Sequence, residues 1–485
     1  MPIVPLIGRG YTGKSLNVTA EKRINMYAED SPDNDKSPRV LYPRPGLTLL
    51  TQSLNTGGGS ASGAALGAIN FVFNDGGINT GEWTVVAYTG GFRSWKSNTL
   101  YNQLGGGGDP GPTTNIVQIA YNGLRCFAVD GSNAWWVAPN SSYSAVSAVP
   151  ATFPWTGANS VCCIAGRFVV NCPQKVGQFA WSALNAGIMS TWASLDYATA
   201  EAIPDSLVGV AECRGELILF GSQSIEHWAP TAGTTPFARI GGATVTWGLA
   251  AKDTVAQMDD GLFFLGRNNQ GNVQAAYMAG YQVKPVSTPD IDVYLNASGA
   301  LTGATAWATT FSGHKWYVVN LASKTLVYDA TSGEWDEWQS SGGKFLGRFG
   351  LTSFSQFVCL DSSSINAYLL DETNYTDNGA SITRQVVSKH LYADLDRVTL
   401  DQVTMDCEPG VGNGASPAPT VGLEVSRDGG HTFGSSLSAP IGPAGQYGYR
   451  VFWNRLGRCR DFVLRWTLTS SVKWVVMNIG ARIRK

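Results

Sequence analysis

The sequence predicts an all-β protein: a β-propeller of about seven blades (six to eight fit the spacing), an extended N-terminal arm and a C-terminal antiparallel β-sandwich-like domain. Three observations carry that reading. An apolar strand, a tight Gly, Asn or Asp turn and a second aromatic-rich strand recur about every 45 residues, at Val161–Ser182, Leu207–Trp228 and Ala306–Trp335, at strand period and without a helical stripe. The chain of 485 residues has 57 Gly and 16 Trp but only 14% charged residues, a composition of short strands, turns and aromatic packing between sheets. After about Lys389 the strands are instead separated by long Gly/Pro/Ser loops.

The elements follow in order. Residues 1–60 carry Pro2, Pro5, Pro32, Pro38, Pro43 and Pro45 and an acidic turn at Glu29–Asp35, so an extended arm without regular ladders is expected. Blades are expected over 61–388, centred on Phe71–Trp95, Ile116–Val137, Val161–Ser182, Leu207–Trp228, Val255–Tyr281, Trp307–Trp338 and Phe354–Leu370. Their connections are Gly- or Ser-rich, as at Gly105–Gly108 and Ser362–Ser364. The sandwich-like domain is expected over 389–485, with strands at Val398–Met405, Thr420–Val425, Tyr449–Trp453, Phe462–Thr467 and Trp474–Ile479 around the loops Pro409–Pro419 and Ser435–Gly448. Helix signals are nearly absent; Ser194–Glu201 offers at most one short turn.

Bulk properties exclude several classes. A net charge of −2 gives no global attraction to nucleic acid or membrane. The apolar runs are strand-sized, which predicts no membrane insertion, and MPIVPLIGRG has none of the parts of a signal peptide. Most of the eight cysteines lie in strand-like segments, and no pair shows zinc-ligand spacing, as expected of reduced thiols in a protein made in a cytoplasm; a bridge between Cys162 and Cys172 stays open.

Several motifs suggest chemistry, and each has a plainer reading. Gly8–Ser15 satisfies G-x-x-x-x-G-K-S, but the required buried strand and following helix are missing, so no nucleotide site is expected and the glycines let the arm bend. Ser426–Phe433 resembles the Asp-box of sialidases, a hairpin turn rather than a catalytic site, and supports a hairpin over 422–435. His227, His314, His390 and His431 are scattered, and the acidic groups Asp259-Asp260 and Glu334-Asp336-Glu337 read as turn carboxylates. Asp371–Gly379 has oxygen donors but not the calcium-loop order. No catalytic residue, metal site or cofactor is expected.

From Arg450 the chain holds nine Lys and Arg against Asp461 alone. Arg450, Arg455, Arg458, Arg460 and Arg465 alternate with strand aromatics and are the candidate partner-interface residues, favoured for a protein surface over a phosphate groove.

The run Tyr449–Arg484 resembles the end of the tail nozzle family of short-tailed bacteriophages, also called the tail hub or packaged-DNA stabilisation protein. Ile24–Leu47, Leu207–Trp228 and Leu326–Trp338 are similar to it too, in the same order. The resemblance implies a structural, non-enzymatic protein of the virion tail, made in the bacterial cytoplasm. It implies a homohexameric ring below the portal–adaptor ring that prolongs the DNA channel, retains packaged DNA and anchors receptor-binding fibres or spikes. Double-stranded DNA would then pass without sequence-specific binding. The alternatives are a propeller lectin using Trp faces and a glycan depolymerase of a phage tail.

Overall fold

The computed structural model describes residues 3–30, 37–50, 62–74, 80–96, 99–104, 111–137, 146–148, 153–186, 192–233, 235–341, 343–393, 396–411 and 418–484. The connection at Gly105–Gly108, most of the turn at Glu29–Asp35 and the middle of the Pro409–Pro419 loop lie outside them.

Seven sheets form the propeller, and their first strands are Ser62–Phe73, Gln118–Tyr121, Val161–Ile164, Leu207–Cys213, Gly248–Leu249, Thr305–Phe311 and Gly347–Ser353. Successive strands within each sheet are antiparallel neighbours. Seven separate apolar clusters lie between adjacent blades. The last of them joins Val358 and Leu360 of blade 7 to Val86, Tyr88 and Trp95 of blade 1, which closes the ring and leaves no open sheet face.

Packing between blades explains a departure from simple alternation. The middle strands are buried on both faces, so Cys126–Val129 and Ala134–Val137 read as continuous apolar runs. Cys126 and Trp135 face blade 1, whereas Phe127 and Trp136 face blade 3. Cys162 and Cys172 are free: Cys162 sits opposite Val169 and packs between blades 3 and 4, while Cys172 packs between blades 2 and 3.

The N-terminal segment differs most from expectation. Its proline content predicts no regular ladder, yet it supplies strands to three sheets. Pro5 and Pro43 end the strands Ile3–Pro5 and Arg39–Pro43, and Pro45 precedes Gly46–Leu49, so a missing N–H costs little at these positions. Gly46–Leu49 runs antiparallel to Ala367–Asp371 and supplies the outer strand of blade 7. Met26–Asp30 and Arg39–Pro43 form a hairpin that joins Val476–Arg484 in the first sandwich sheet, beside Val398–Cys407 and Val451–Cys459. Lys22–Ile24 bridges the outer strand of blade 6, Glu334–Trp338, to Arg384–Val387 of the second sandwich sheet. Propeller and sandwich thereby share one hydrogen-bonded sheet.

Sequence reasoning passed over the helix Pro289–Leu295. Thr288 caps it with proline at the first helical position, and Ile291 and Leu295 are buried. Thr-Pro before an apolar i, i+4 pair is the signal that could have found it. In the stretch 194–201 the chain forms a turn and the strand Tyr197–Thr199 rather than helix.

Arg44 lies just before the strand that completes blade 7 and is fully buried. Its five N–H groups reach Asn25 Oδ1 (2.7 Å), the carbonyls of Pro45 and Gln339 (2.8 Å each), and both Asp377 oxygens (3.0 and 2.5 Å). Truncation would leave Asp377 buried without its counter-charge. Arg44→Ala is therefore expected to lower the unfolding free energy by about 3–5 kcal/mol. Denaturant unfolding checks this; a loss under about 1 kcal/mol would mean that Asp377 finds other solvation.

Candidate functional site

The polar interior of the molecule is concentrated where the arm crosses from propeller to sandwich. Asn25, at φ 58°, takes the left-handed conformation that asparagine tolerates better than most residues. Its amide joins all three parts: Oδ1 accepts from Arg44 Nε and from the Gln339 N–H of the segment after blade 6, and Nδ2 donates to the Thr383 carbonyl (2.7 Å). Two residues earlier, Arg23 inserts between two carboxylates of blade 6. Nη1 is 2.6 Å from Glu334 and Nε is 2.6 Å from Asp336, all three side chains being almost completely buried. Burial works against the charge on Arg23, but Asp336 and Glu334 outweigh it and hold the guanidinium protonated. Arg39 reaches Glu334 as well (2.7 Å), and the Tyr11 hydroxyl donates to Glu337 (3.2 Å).

These contacts correct the reading of Glu334, Asp336 and Glu337 as turn carboxylates. All three lie inside the strand Glu334–Trp338 and are buried. They serve the arm and its surroundings: Glu334 and Asp336 meet Arg23, Glu334 also meets Arg39, and Glu337 accepts from Tyr11 and Gln339. Asp259 and Asp260 do lie in a turn.

The remaining motifs resolve into structure. Gly8–Ser15 is followed by a turn at 16–18 rather than a helix. A side chain on Gly8 would collide with the Glu21 carboxylate and one on Gly13 with the Thr19 hydroxyl, so close approach explains both glycines. In the Asp-box loop, Asp428 accepts from the Ser426 hydroxyl (2.7 Å) and the Thr432 hydroxyl (2.5 Å), which hold its carboxyl well below the usual range. The strands flanking this loop are Thr420–Ser426 and Leu437–Pro440, a wider hairpin than 422–435. The four histidines are bonded to Glu216, Asp329, Asp461 and Asn17 respectively, and only His390 and His431 are brought to the same place, where both meet the arm turn at Leu16 and Asn17. Asp371 accepts from Thr373 and Thr48, and among the described residues no group of three His, Cys, Asp or Glu could hold a metal ion.

The five candidate arginines are spread over the sandwich. Arg450, Arg455, Arg458 and Arg460 are exposed. Arg450 and Arg458 lie at opposite ends of one strand, about 26 Å apart at strand rise. Arg465 is half-buried on the other sheet, where it pairs with Glu424 (2.5 Å) and lies over the Phe433 ring (3.9 Å). Sequence reasoning missed Arg397 and Arg427. The fold brings both beside Cys459, near Arg458 and Arg460; isolated in the chain, they gave no signal.

The propeller axis holds a channel of about 500 Å³ lined by all seven blades, including Gln118, Ser160, Glu212, Lys252 and Asp253. Spread along first strands that mostly run four to seven residues, that volume corresponds to an opening roughly 5–10 Å across. The major groove of a DNA duplex alone is about 12 Å wide, so no duplex threads this axis. Trp83, Trp135, Trp316, Trp335 and Trp338 are fully buried in the cores between blades and are not available to stack on sugars.

Buried acid–arginine contacts, buried tryptophans and a narrow axis belong to a propeller joined to a sandwich through its arm. The family described as Bacteriophage P22 Gp10, beta-propeller, matches residues 101–375, and Bacteriophage P22 Gp10, beta-sandwich, matches residues 383–484. The chain belongs to this Gp10 family of phage stabilisation or tail hub proteins, which are structural components of the virion tail and not enzymes. The tail hub protein gp10 of Salmonella phage P22 is 28% identical over 141 residues, an alignment covering 28% of this chain and 30% of that protein. The match thus spans less than a third of the curated relative's length. Among solved structures, the Pan2 WD40 domain of Neurospora crassa aligns with 68% of this chain and 95% of its own, at 9% identity and a TM-score of 0.41. YCF48 from Cyanidioschyzon merolae aligns over 64% and 96%, at 10% identity and a TM-score of 0.39.

Glu21 yields a pH test of the arm junction. Burial pushes its carboxyl up to about 7, with Lys389 and Arg23 opposing, and its Oε1 is buried without a hydrogen-bond partner among the described residues. The folded chain therefore binds this proton more tightly than the unfolded one, whose glutamates titrate near 4.3. The resulting stability is fully present below about 4.3 and is lost as pH rises toward 7. Glu21→Gln should gain Tm relative to the parent across that interval; a difference independent of pH would contradict the assignment.

Proposed function

We propose that this protein is the tail hub subunit that extends the DNA channel of its phage below the portal–adaptor ring. In this reading copies assemble as a closed homohexamer, DNA passes through the lumen between copies, and the ring retains packaged DNA and anchors fibres or spikes. The observation that carries the reading is family membership over both the propeller and the sandwich. The narrow propeller axis supports it: a conduit for duplex DNA has to be enclosed by several copies rather than bored through one. A closed ring of head-to-tail contacts satisfies that requirement without leaving an open end. The chain's near-neutral net charge suits a wall past which a polyanion must slide, since a strongly basic lining would hold it.

The experiment is co-sedimentation of the purified chain with portal–adaptor complexes, followed by negative-stain imaging. The expected outcome is a six-fold extension of the channel with a lumen wide enough for a duplex. A chain that stays unbound at every concentration would overturn the reading.

A further inference from the structure

We infer that the tip of the sandwich farthest from Arg450, together with the arm loop beside it, is a docking face for an acidic protein surface. The inference uses the tail hub reading only to say that such a partner belongs to the tail.

The fold assembles this face from five separated stretches. The strands Val398–Cys407, Val451–Cys459 and Val476–Arg484 meet in register at Thr399, with Arg458 on one side and Arg484 on the other. The neighbouring turns add Arg397, Arg427 and Arg460, all exposed. The arm loop is tied to the same tip: His390 holds Asp461 (2.7 Å) through Nδ1 and the Leu16 carbonyl (2.7 Å) through Nε2, and His431 meets Asn17 (3.0 Å). That places Lys14 and the exposed Val18, which is 73% accessible, beside the arginines.

Among the described residues, three of the nearby acids are already engaged. Asp461 is held by His390, Asp401 pairs with Arg484 (3.3 Å), and Asp428 is consumed by its own turn. Asp396 is exposed. Among the described residues, Arg397, Arg458 and Arg460 have no ion-pair partner. The excess is regional as well. Of the chain's 34 Lys and Arg and 36 Asp and Glu, residues 383–485 hold 13 and 8, whereas residues 1–382 hold 21 and 28.

One feature favours protein over nucleic acid. Exposed apolar groups are interleaved with the cations: Tyr392 (66% accessible) pairs in register with Asp461, and Val18 and Leu16 flank the loop. Arginine beside aromatic and aliphatic surface is the composition of protein-interface hot spots. Phosphate contacts would use the cations and leave the apolar groups wet. Opposed charge would then set docking register and speed association.

The test uses the full chain and two labelled probes of matched charge, poly-L-glutamate and a random-sequence DNA duplex, with binding read by fluorescence anisotropy. Arg397→Glu/Arg458→Glu/Arg460→Glu is expected to weaken poly-L-glutamate binding at least tenfold. Arg450→Glu, at the far end of the strand, should bind as the parent does. An Arg→Gln version of the triple variant with unchanged Tm shows that any loss is not misfolding. Equal binding by parent and triple variant, or no binding by the parent, overturns the inference; a duplex bound more tightly than poly-L-glutamate at the same site reassigns the face to nucleic acid. Portal–adaptor complexes form a separate arm. If the parent binds them and the triple variant binds equally, the tail hub reading stands and the inference fails. If the parent does not bind them, the tail hub reading fails while the poly-L-glutamate result still decides the inference.

Discussion

Arg23 sits between Glu334 and Asp336 in a space closed to water, and much of the molecule is arranged around that contact. Burying three charges is expensive, and their mutual attraction does little more than offset it. What such a cluster supplies is uniqueness of position. If the strand Lys22–Ile24 slipped by one residue, it would leave two carboxylates unpaired in the interior and turn every side chain to the wrong face. The arm is therefore held in one register between a blade and a sandwich sheet, and Asn25 and Arg44 lock the next two crossings.

Fixing the arm fixes what it carries. Downstream, Gly46–Leu49 completes the seventh blade, so closure of the propeller depends on residues before its first strand. Between these points the hairpin Met26–Pro43 joins the sandwich, burying Met26 and Leu41 among Leu423, Trp453 and Trp466. Upstream, the Leu16–Asn17 turn reaches the basic tip through His390 and His431. One segment thus sets the placement of the propeller, the sandwich and the docking face. In the proposed ring that rigidity would matter, because small angular errors between domains would accumulate around the closure.

The blades were legible in the sequence because their signal is local. Strand, Gly turn and aromatic strand recur within about 45 residues, and each hairpin pairs neighbours in the chain. The arm was not legible for the opposite reason: Ile24 pairs with Glu337 and Gln385, and Leu47 with Leu370, partners more than 300 residues away. No window contains both members, and proline density pointed the wrong way. Glu334 and Asp336 looked like turn carboxylates because Arg23 and Arg39, which pair with them, lie about 300 residues away in sequence. The arginine-rich tip was half visible: Arg458 and Arg460 stood out in a basic run, whereas Arg397 and Arg427 join them only through the fold.

The arm makes propeller and sandwich one cooperative structure. Scanning calorimetry of the intact chain tests this most directly, comparing the parent with a variant carrying a protease site in the 51–61 segment, before and after cleavage. A single transition is expected for the parent, and again after cleavage, since the arm stays held by Arg23, Asn25 and Arg44. Two well-separated transitions in the intact chain, one for each domain, would contradict it.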